Sequence, residues 1–363
     1  MLTTSFIAAR AGVWFTRSGI QTPEGGVARY YLCDQDRNAR VSTEITGYAA
    51  ASLVFLHRVT GEAEFLEAAE RAGRFLCRQA WDPGLEVFPF EWAAGCSDAP
   101  EKHAYFFDSG IIARGLLALW RATGNSEYLD GALLAGHSML RHFARHTPIP
   151  PILALPQLTP LAFEKRWSRE PGCFQLKAAL AWLELYEASG DAAFEVQYER
   201  MLEAALANAP SFLPGAPERE QVMDRLHAFS YFLEGALPRC ARPEVREALA
   251  AGIRRAADLL REIAPQFARS DVYAQLLRAR LYADALGAVP LDHAAAAEEA
   301  REAAMFQYDH ADPRIDGAFC FGVKAGRRMP FANPVSTAFC SQALALWEQK
   351  EAGRLEARWQ DLI

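Results

Sequence analysis

Three carboxylates stand at matching distances before glycine corners in this sequence. Glu44, in "VSTEITGY", lies 17 positions before Gly61, while Asp108, in "FFDSGII", and Asp271 each lie 16 positions before Gly124 and Gly287. Two carboxyl groups that face each other across a partly apolar cleft have their pKa values pushed apart, one kept protonated as an acid and the other ionised. Glycosyl transfer and hydration use such a pair. The same register puts Glu170 20 positions before Gly190, His227 at the start of a fourth segment, and Asn333 with Ser336 at the start of a sixth. A simpler role competes at each position. Asp and Ser cap helices, Glu suits a first helical turn, and a lone His on an aromatic helix is commonly a satisfied core residue. Their joint placement, rather than any single member, favours chemistry.

The elements that would position these groups come from an internal repeat. "HRVTGEAEFLEAAERAGRFL" (57–76), "WRATGNSEYLDGALLAGHSML" (120–140) and "YEASGDAAFEVQYERMLEAAL" (186–206) share a Thr/Ser-Gly pair, an acidic or amide residue, and an aromatic three positions later. Glycine ends one helix in the left-handed conformation and the polar residue opens the next. The helix before each corner is apolar nearly all round, which predicts burial on every side. The one after carries a stripe, such as Phe65, Ala69, Ala72 and Leu76, which predicts one wet face. Weaker copies at 224–262, 270–306 and 335–361 bring the count to six hairpins, the last ending in a short terminal helix at 353–361, and a helix at about 3–16 would help close the outer ring. The expected fold is all-α, a single (α/α)6 barrel over residues 1–363, with an open superhelical array as the competing layout.

Long connections at 18–43, 80–107, 146–170, 208–223 and 307–334 each precede an inner helix, so they gather at one end and the short corners at the other. Such loops are commonly functional. The runs "PGLEVFPFEW" (83–92) and "DGAFCFGVKAGRRMPF" (316–331) read as small hairpins over the mouth, and the proline-stiffened "TPIPPILALPQLTP" (147–160) reads as a wrapping segment. Aromatic residues Trp92, Tyr105, Phe106, Trp167, Phe319 and Phe331 offer flat faces to sugar rings. Lys102, His103, Arg166, Arg169, Lys324, Arg327 and Arg328 supply local positive charge in an otherwise acidic chain.

Bulk properties exclude several classes. The chain has 363 residues, a formal charge of −7 and 51% hydrophobic residues. This favours a sizeable core and offers no field for nucleic acid. No uninterrupted apolar run approaches about 18 residues, and the start lacks the pattern of a secretory leader. Seven cysteines scattered in apolar contexts, without CxxC or Cys/His spacing, read as reduced core residues and predict a cytoplasmic location. No metal or cofactor motif is present, and the absence of DDxxD argues against isoprenoid chemistry.

The corner "TG-(E/N/D)-xx-(Y/F)" and the inner-helix openings "EITGY" and "FFDSG" resemble the six-hairpin glycosidase-like superfamily. It includes unsaturated glucuronyl hydrolases and N-acylglucosamine 2-epimerases; helical domains of polysaccharide lyases and glucuronyl C5-epimerases are similar. In the glucuronyl hydrolases two aspartates on neighbouring hairpins carry the chemistry. Asp108 resembles the second, and Glu44 stands where the first would be. The 2-epimerases use two late histidines. His227 resembles one, but the sixth inner helix opens "NPVSTAF", leaving His310 as the nearby substitute. In a lyase or C5-epimerase a tyrosine would share the proton work, with Tyr48, Tyr105, Tyr231 and Tyr273 as candidates. The resemblance implies a carbohydrate-active enzyme on a uronate-containing or otherwise anionic sugar, hydrolase or lyase ahead of epimerase. Asp108 would be general acid/base, Glu44 its partner, and His227 and Asp271 positioning or proton-transfer groups. Trp92, Tyr105, Trp167, Arg169, Glu170, Tyr231, His310, Arg327 and Asn333 would bind substrate. A non-catalytic glycan-binding or polysaccharide-assembly protein is the alternative.

Overall fold

The computed structural model describes residues 4–92, 102–164 and 166–363. The middle of the 80–107 connection, with Cys96, lies outside the described residues. The repeated corners form through one local device. Thr60, Thr123 and Ser189 donate their hydroxyls to the carbonyls four residues back, at 2.7, 2.8 and 2.7 Å, and accept the N–H two residues ahead. Between these bonds Gly61, Gly124 and Gly190 adopt φ of 79°, 70° and 75°, left-handed values that a Cβ would penalise by about 1–2 kcal/mol. The aromatic that follows, Phe65, Tyr128 or Phe194, is buried, its ring beside Gly12, Gly73 or Gly136 respectively.

Twelve α-helices result among the described residues: α1 (Thr4–Arg17), α2 (Thr43–Thr60), α3 (Ala63–Phe75), α4 (Phe106–Thr123), α5 (Ser126–Ser138), α6 (Leu176–Ser189), α7 (Ala192–Phe212), α8 (Arg219–Ala236), α9 (Pro243–Ile263), α10 (Ser270–Ala285), α11 (His293–Ala304) and α12 (Pro334–Glu351). The even-numbered helices pack side by side in chain order, and α12 returns to α2, closing an inner ring. Helices α3, α5, α7, α9 and α11 form the outer layer, and α1 packs on α12, α2 and α3 to fill the sixth outer place. The fold is an (α/α)6 barrel.

Two expectations are corrected. Residues 353–361 do not form a helix; the segment runs extended to a short 3-10 turn at Trp359–Asp361. It is held beneath the barrel because Gln342 Nε2 donates to the Asp361 carbonyl at 2.7 Å and Arg58 pairs with the Asp361 carboxylate at 2.8 Å. The outer partner of α12 is therefore α1. The 208–223 connection is also shorter than expected, since α7 continues to Phe212 with Pro210 in its last turn and α8 begins at Arg219. His227 consequently sits about two turns inside α8.

Small residues let the inner helices touch backbone to backbone. A Cβ at Gly115 of α4 would lie 2.4 Å from the Gly47 carbonyl oxygen of α2, and one at Gly110 would lie 2.4 Å from the Ala178 carbonyl oxygen of α6. On the other side of α6, a Cβ at Gly235 of α8 would meet the Leu176 backbone at 2.7 Å. Deeper in the barrel, charges are paired. Glu234 binds both Arg278 and, at 2.9 Å, Lys177, while Glu184 binds Arg114 at 2.5 Å and Arg121 at 2.6 Å.

The long connections gather at the inner-helix N-termini and carry short antiparallel strands. Val41–Ser42, His103–Tyr105, Phe267–Arg269 and Phe331–Ala332 each run directly into an inner helix. The hairpin expected within 316–331 pairs Gly322–Lys324 with Arg327–Arg328, and the wrapping segment pairs Ile152–Ala154 with both Thr159–Pro160 and His103–Tyr105. In 83–92 the pairing reduces to isolated bridges, Asp82 with Val87 and Glu91 with Ser42.

Because the α2–α4 seam has no room for a methyl group, Gly115→Ala should destabilise the protein by about 1–3 kcal/mol in urea unfolding. Stability equal to the parent would show that the two backbones are not in contact.

Candidate functional site in the barrel mouth

The first turns of α2 and α4 decide the site. Ser42 caps α2, its hydroxyl accepting the Ile45 N–H, so Glu44 is free of capping duty. Tyr105 holds the N-cap position of α4, so Asp108 is not a cap either. Both side chains line a cavity of about 530 Å³ at the long-loop end. Asp108 is 3% exposed, and its Oδ2 has no hydrogen-bond partner among the described residues. Glu44 is half-buried beside it.

Burial sets the protonation of this pair. Desolvation lifts Asp108 well above the usual carboxylate range, and the neighbouring Glu44 charge lifts it further, against a smaller opposing pull from Arg29. Desolvation raises Glu44 to about 7, again opposed by Arg29. Near neutral pH the arrangement is a protonated Asp108 next to a Glu44 poised to ionise. Titration of the two belongs to the pair rather than to either residue alone.

Across the cavity, α8 and α10 supply a second group. Asp271 is clamped by Arg269, whose Nε and Nη2 donate to its two carboxylate oxygens at 3.0 and 2.6 Å. Burial opposes ionisation of Asp271, but the Arg269 charge and hydrogen bonds prevail and hold its pKa below the ordinary value. His227 Nδ1 faces Gln275 Oε1 at 2.8 Å and Asp271 Oδ2 at 3.3 Å. Burial pushes His227 down to about 4, outweighing the pull of Asp271, so its ring is neutral near pH 7. Tyr48 donates its hydroxyl to Tyr231 Oη at 3.2 Å, and Tyr231 lies against both His227 and Phe107. Both tyrosines are driven well above 10 by burial and by nearby Glu44, so they keep their protons.

Of the thirteen residues given a catalytic or substrate-binding role from sequence, Glu44, Asp108, His227, Asp271, Tyr105, Trp167, Arg169, Tyr231 and Asn333 line this one cavity. Four others do not. The Trp92 ring lies edge-on to Phe75, because its backbone N–H bonds the Val41 carbonyl and turns the side chain toward α3. Glu170 faces a separate cleft of about 820 Å³ with Pro148, Arg200 and Asn208, since α6 begins only at Leu176. His310 is exposed in a loop tied to α1, where Arg10 binds the Asp316 carboxylate that also accepts the His310 N–H. Arg327 is exposed just past the Ala325–Gly326 turn of its hairpin. Among the aromatics, Phe106 and Phe319 are fully buried, and the cavity is lined instead by Phe90, Phe107, Phe174 and Phe321.

Sequence reasoning missed Arg29, Arg269 and Gln275. Arg29 lies over the Phe90 ring at 4.9 Å and 3.5 Å from Glu91. Arg269 had a legible signal, an arginine two residues before an inner-helix acid in "FARSD". Among the described residues no group of three or more His, Cys, Asp or Glu is placed to hold a metal ion. The six described cysteines are all free, and no described helix is long and apolar enough to cross a membrane.

No family model and no curated relative matches this sequence. Solved structures do. Cellobiose 2-epimerase from Spirochaeta thermophila matches with a TM-score of 0.69 at 14% identity, covering 92% of this chain and 93% of that one. The chain has the (α/α)6 barrel fold of these structures. D-mannose isomerase matches at TM-score 0.70 and 10% identity over 96% and 97% of the two chains. A family 76 mannosidase from Bacteroides thetaiotaomicron matches at 0.60 and 11% identity over 96% and 100%. The six-hairpin fold thus accounts for nearly the whole length of chains whose reactions differ from one another.

The raised carboxyl pKa values carry a stability consequence. Below pH 3.8, the unfolded value for Asp108, both groups are protonated folded or unfolded and their favourable contribution is complete; it is lost as pH rises through the folded value, about 7 for Glu44 and well above the ordinary carboxylate range for Asp108. Asp108→Asn should therefore raise the melting temperature by a few degrees at pH 8 and leave it little changed at pH 4. A lower melting temperature at pH 8 would contradict the burial of an uncompensated carboxyl group.

Proposed function

We propose that this protein is an enzyme acting on a sugar or oligosaccharide bound in the barrel mouth, with Asp108 as general acid and Glu44 as its partner carboxylate. One observation carries the reading: two desolvated carboxyl groups from adjacent inner helices share a cavity, and the more buried one has an oxygen with no partner among the described residues. An acid kept protonated at neutral pH can donate to a leaving-group oxygen or to a double bond, and the second carboxylate can activate water or stabilise positive charge at the sugar carbon. Trp167, Tyr105, Phe90 and Phe321 supply flat walls for ring stacking. The substrate is anionic in this reading. Arg166 is exposed at the rim and has no ion-pair partner among the described residues, and Arg29 reaches the same cavity. Glycoside hydrolysis or elimination is favoured on this basis.

Epimerisation is the second reading, supported by the match to epimerase and isomerase structures and by the neutral His227. Against it, His310 does not reach the cavity, so the two-histidine arrangement implied by resemblance lacks its second member among the described residues.

The experiment is turnover of a panel of uronate-containing and neutral oligosaccharides by the parent protein and Asp108→Asn. A fall in turnover of about 100-fold or more with binding retained is expected. Unchanged turnover would reject Asp108 as the acid, and binding without turnover in the parent would favour a non-catalytic glycan-binding protein. Activity of the parent should also decline as pH rises and Asp108 loses its proton.

A further inference from the structure

We infer that Arg269 is a positioning residue which, through Asp271, fixes the proton of His227 on Nδ1 and leaves the Nε2 lone pair available to the mouth cavity. Arg269 is 6% exposed and its guanidinium is engaged on every side: its Nε and Nη2 grip Asp271, its Nη1 donates to Asp224 Oδ1 at 2.8 Å, and it lies over the Phe321 ring at 4.5 Å. This holds the Asp271 carboxylate in one orientation, with Oδ2 3.3 Å from His227 Nδ1. An ionised carboxylate at this distance repels a lone pair on Nδ1 and stabilises an N–H there, so the nitrogen facing it carries the proton, with Gln275 Oε1 as its hydrogen-bond acceptor. A neutral imidazole carries one N–H, and once Nδ1 has it, Nε2 is an acceptor.

Gln275 alone does not settle the matter. Its Oε1 lies 2.8 Å from Nδ1, yet its Nε2 has no hydrogen-bond partner among the described residues, and a reversed amide would present a donor to Nδ1 instead. The carboxylate breaks that tie. Because an acceptor already faces Nδ1, the Gln275 oxygen takes the same side. The charged and titratable groups facing the ring are Asp224 and Tyr231 from α8, Asp271 from α10, and Arg269 from the strand Phe267–Arg269. Trp167 packs against the ring edge from the loop side.

The lock defines what His227 can do. With Nε2 unprotonated, the ring takes a proton from a bound ligand rather than giving one, opposite in sense to the protonated Asp108. The kinetic consequence rests on the proposed reading of the mouth as a reaction site; the tautomer does not.

The test is nitrogen-15 NMR of the full chain labelled at histidine, at pH 7, with His227 assigned by its loss in His227→Gln. The expected parent spectrum shows the Nδ1–H tautomer. Arg269→Met and Asp271→Asn should move His227 to the Nε2–H tautomer or to a mixture, and Asp271→Glu should retain Nδ1–H. Should Arg269→Met fail to fold, the isosteric Asp271→Asn carries the measurement. A parent spectrum showing Nε2–H overturns the inference, and so does an unchanged Nδ1–H in the variants, which would leave Gln275 as the sole determinant. Once a substrate is in hand, Asp271→Asn should lower kcat at least about tenfold with KM little changed. A normal tautomer response with no kinetic effect would leave the lock standing and count against the reaction-site reading alone.

Discussion

The barrel depends on how closely its inner helices approach. Gly47 against Gly115 and Gly110 against Ala178 put neighbouring backbones in contact, with no side chain between them. Glu44 lies three residues before the first contact and Asp108 two residues before the second. Side chains on a helix tilt toward its N-terminus, so both carboxyl groups reach past the seam into the space enclosed by the loops. Bulkier residues at the seam would spread the ring and let water between the two acids. Their desolvation, and hence their raised pKa values, is a property of the packing.

Charge is treated differently at the two depths of the barrel. In the interior each acid has cations against it: Glu234 is held by Lys177 and Arg278, and Glu184 by Arg114 and Arg121. Removing either partner of such a pair would leave a buried charge uncompensated. At the mouth Asp271 has its arginine, but among the described residues the one cation acting on Glu44 and Asp108 is the more distant Arg29. A fold that neutralises its interior so thoroughly and leaves these two acids unpaired is storing unfavourable free energy where a ligand would sit. Perturbed groups of this kind cluster at functional sites.

Much of the architecture was legible because the corner motif has a local cause. A Thr or Ser hydroxyl, a left-handed glycine and a following cap are all sequence-encoded within a few residues, and the contrast between all-round apolar and striped helices separates inner from outer. The terminal segment was not legible, since residues 353–361 are held by Gln342 and Arg58 rather than by their own propensity. At the site, residues fixed to an inner-helix first turn were found, among them Glu44, Asp108 and Asp271. Loop residues were found only in part. Trp92, His310 and Arg327 needed the path of the backbone, and the choice of Phe107 over Phe106 needed the phase of α4 against the cavity. Arg269 was legible in principle from its place two residues before Asp271, whereas Arg29 acts through space on acids far from it in the chain, which a sequence read in order does not display.

Asp108 keeps its proton at neutral pH because α2 and α4 bury it beside Glu44. Infrared difference spectroscopy across a pH titration, comparing the parent with Asp108→Asn, measures this directly through the carbonyl stretch of a protonated carboxyl group. The parent should show a protonated-acid band that survives above pH 7 and is missing in the variant. A band that disappears near pH 4, as for a solvated aspartate, would contradict it.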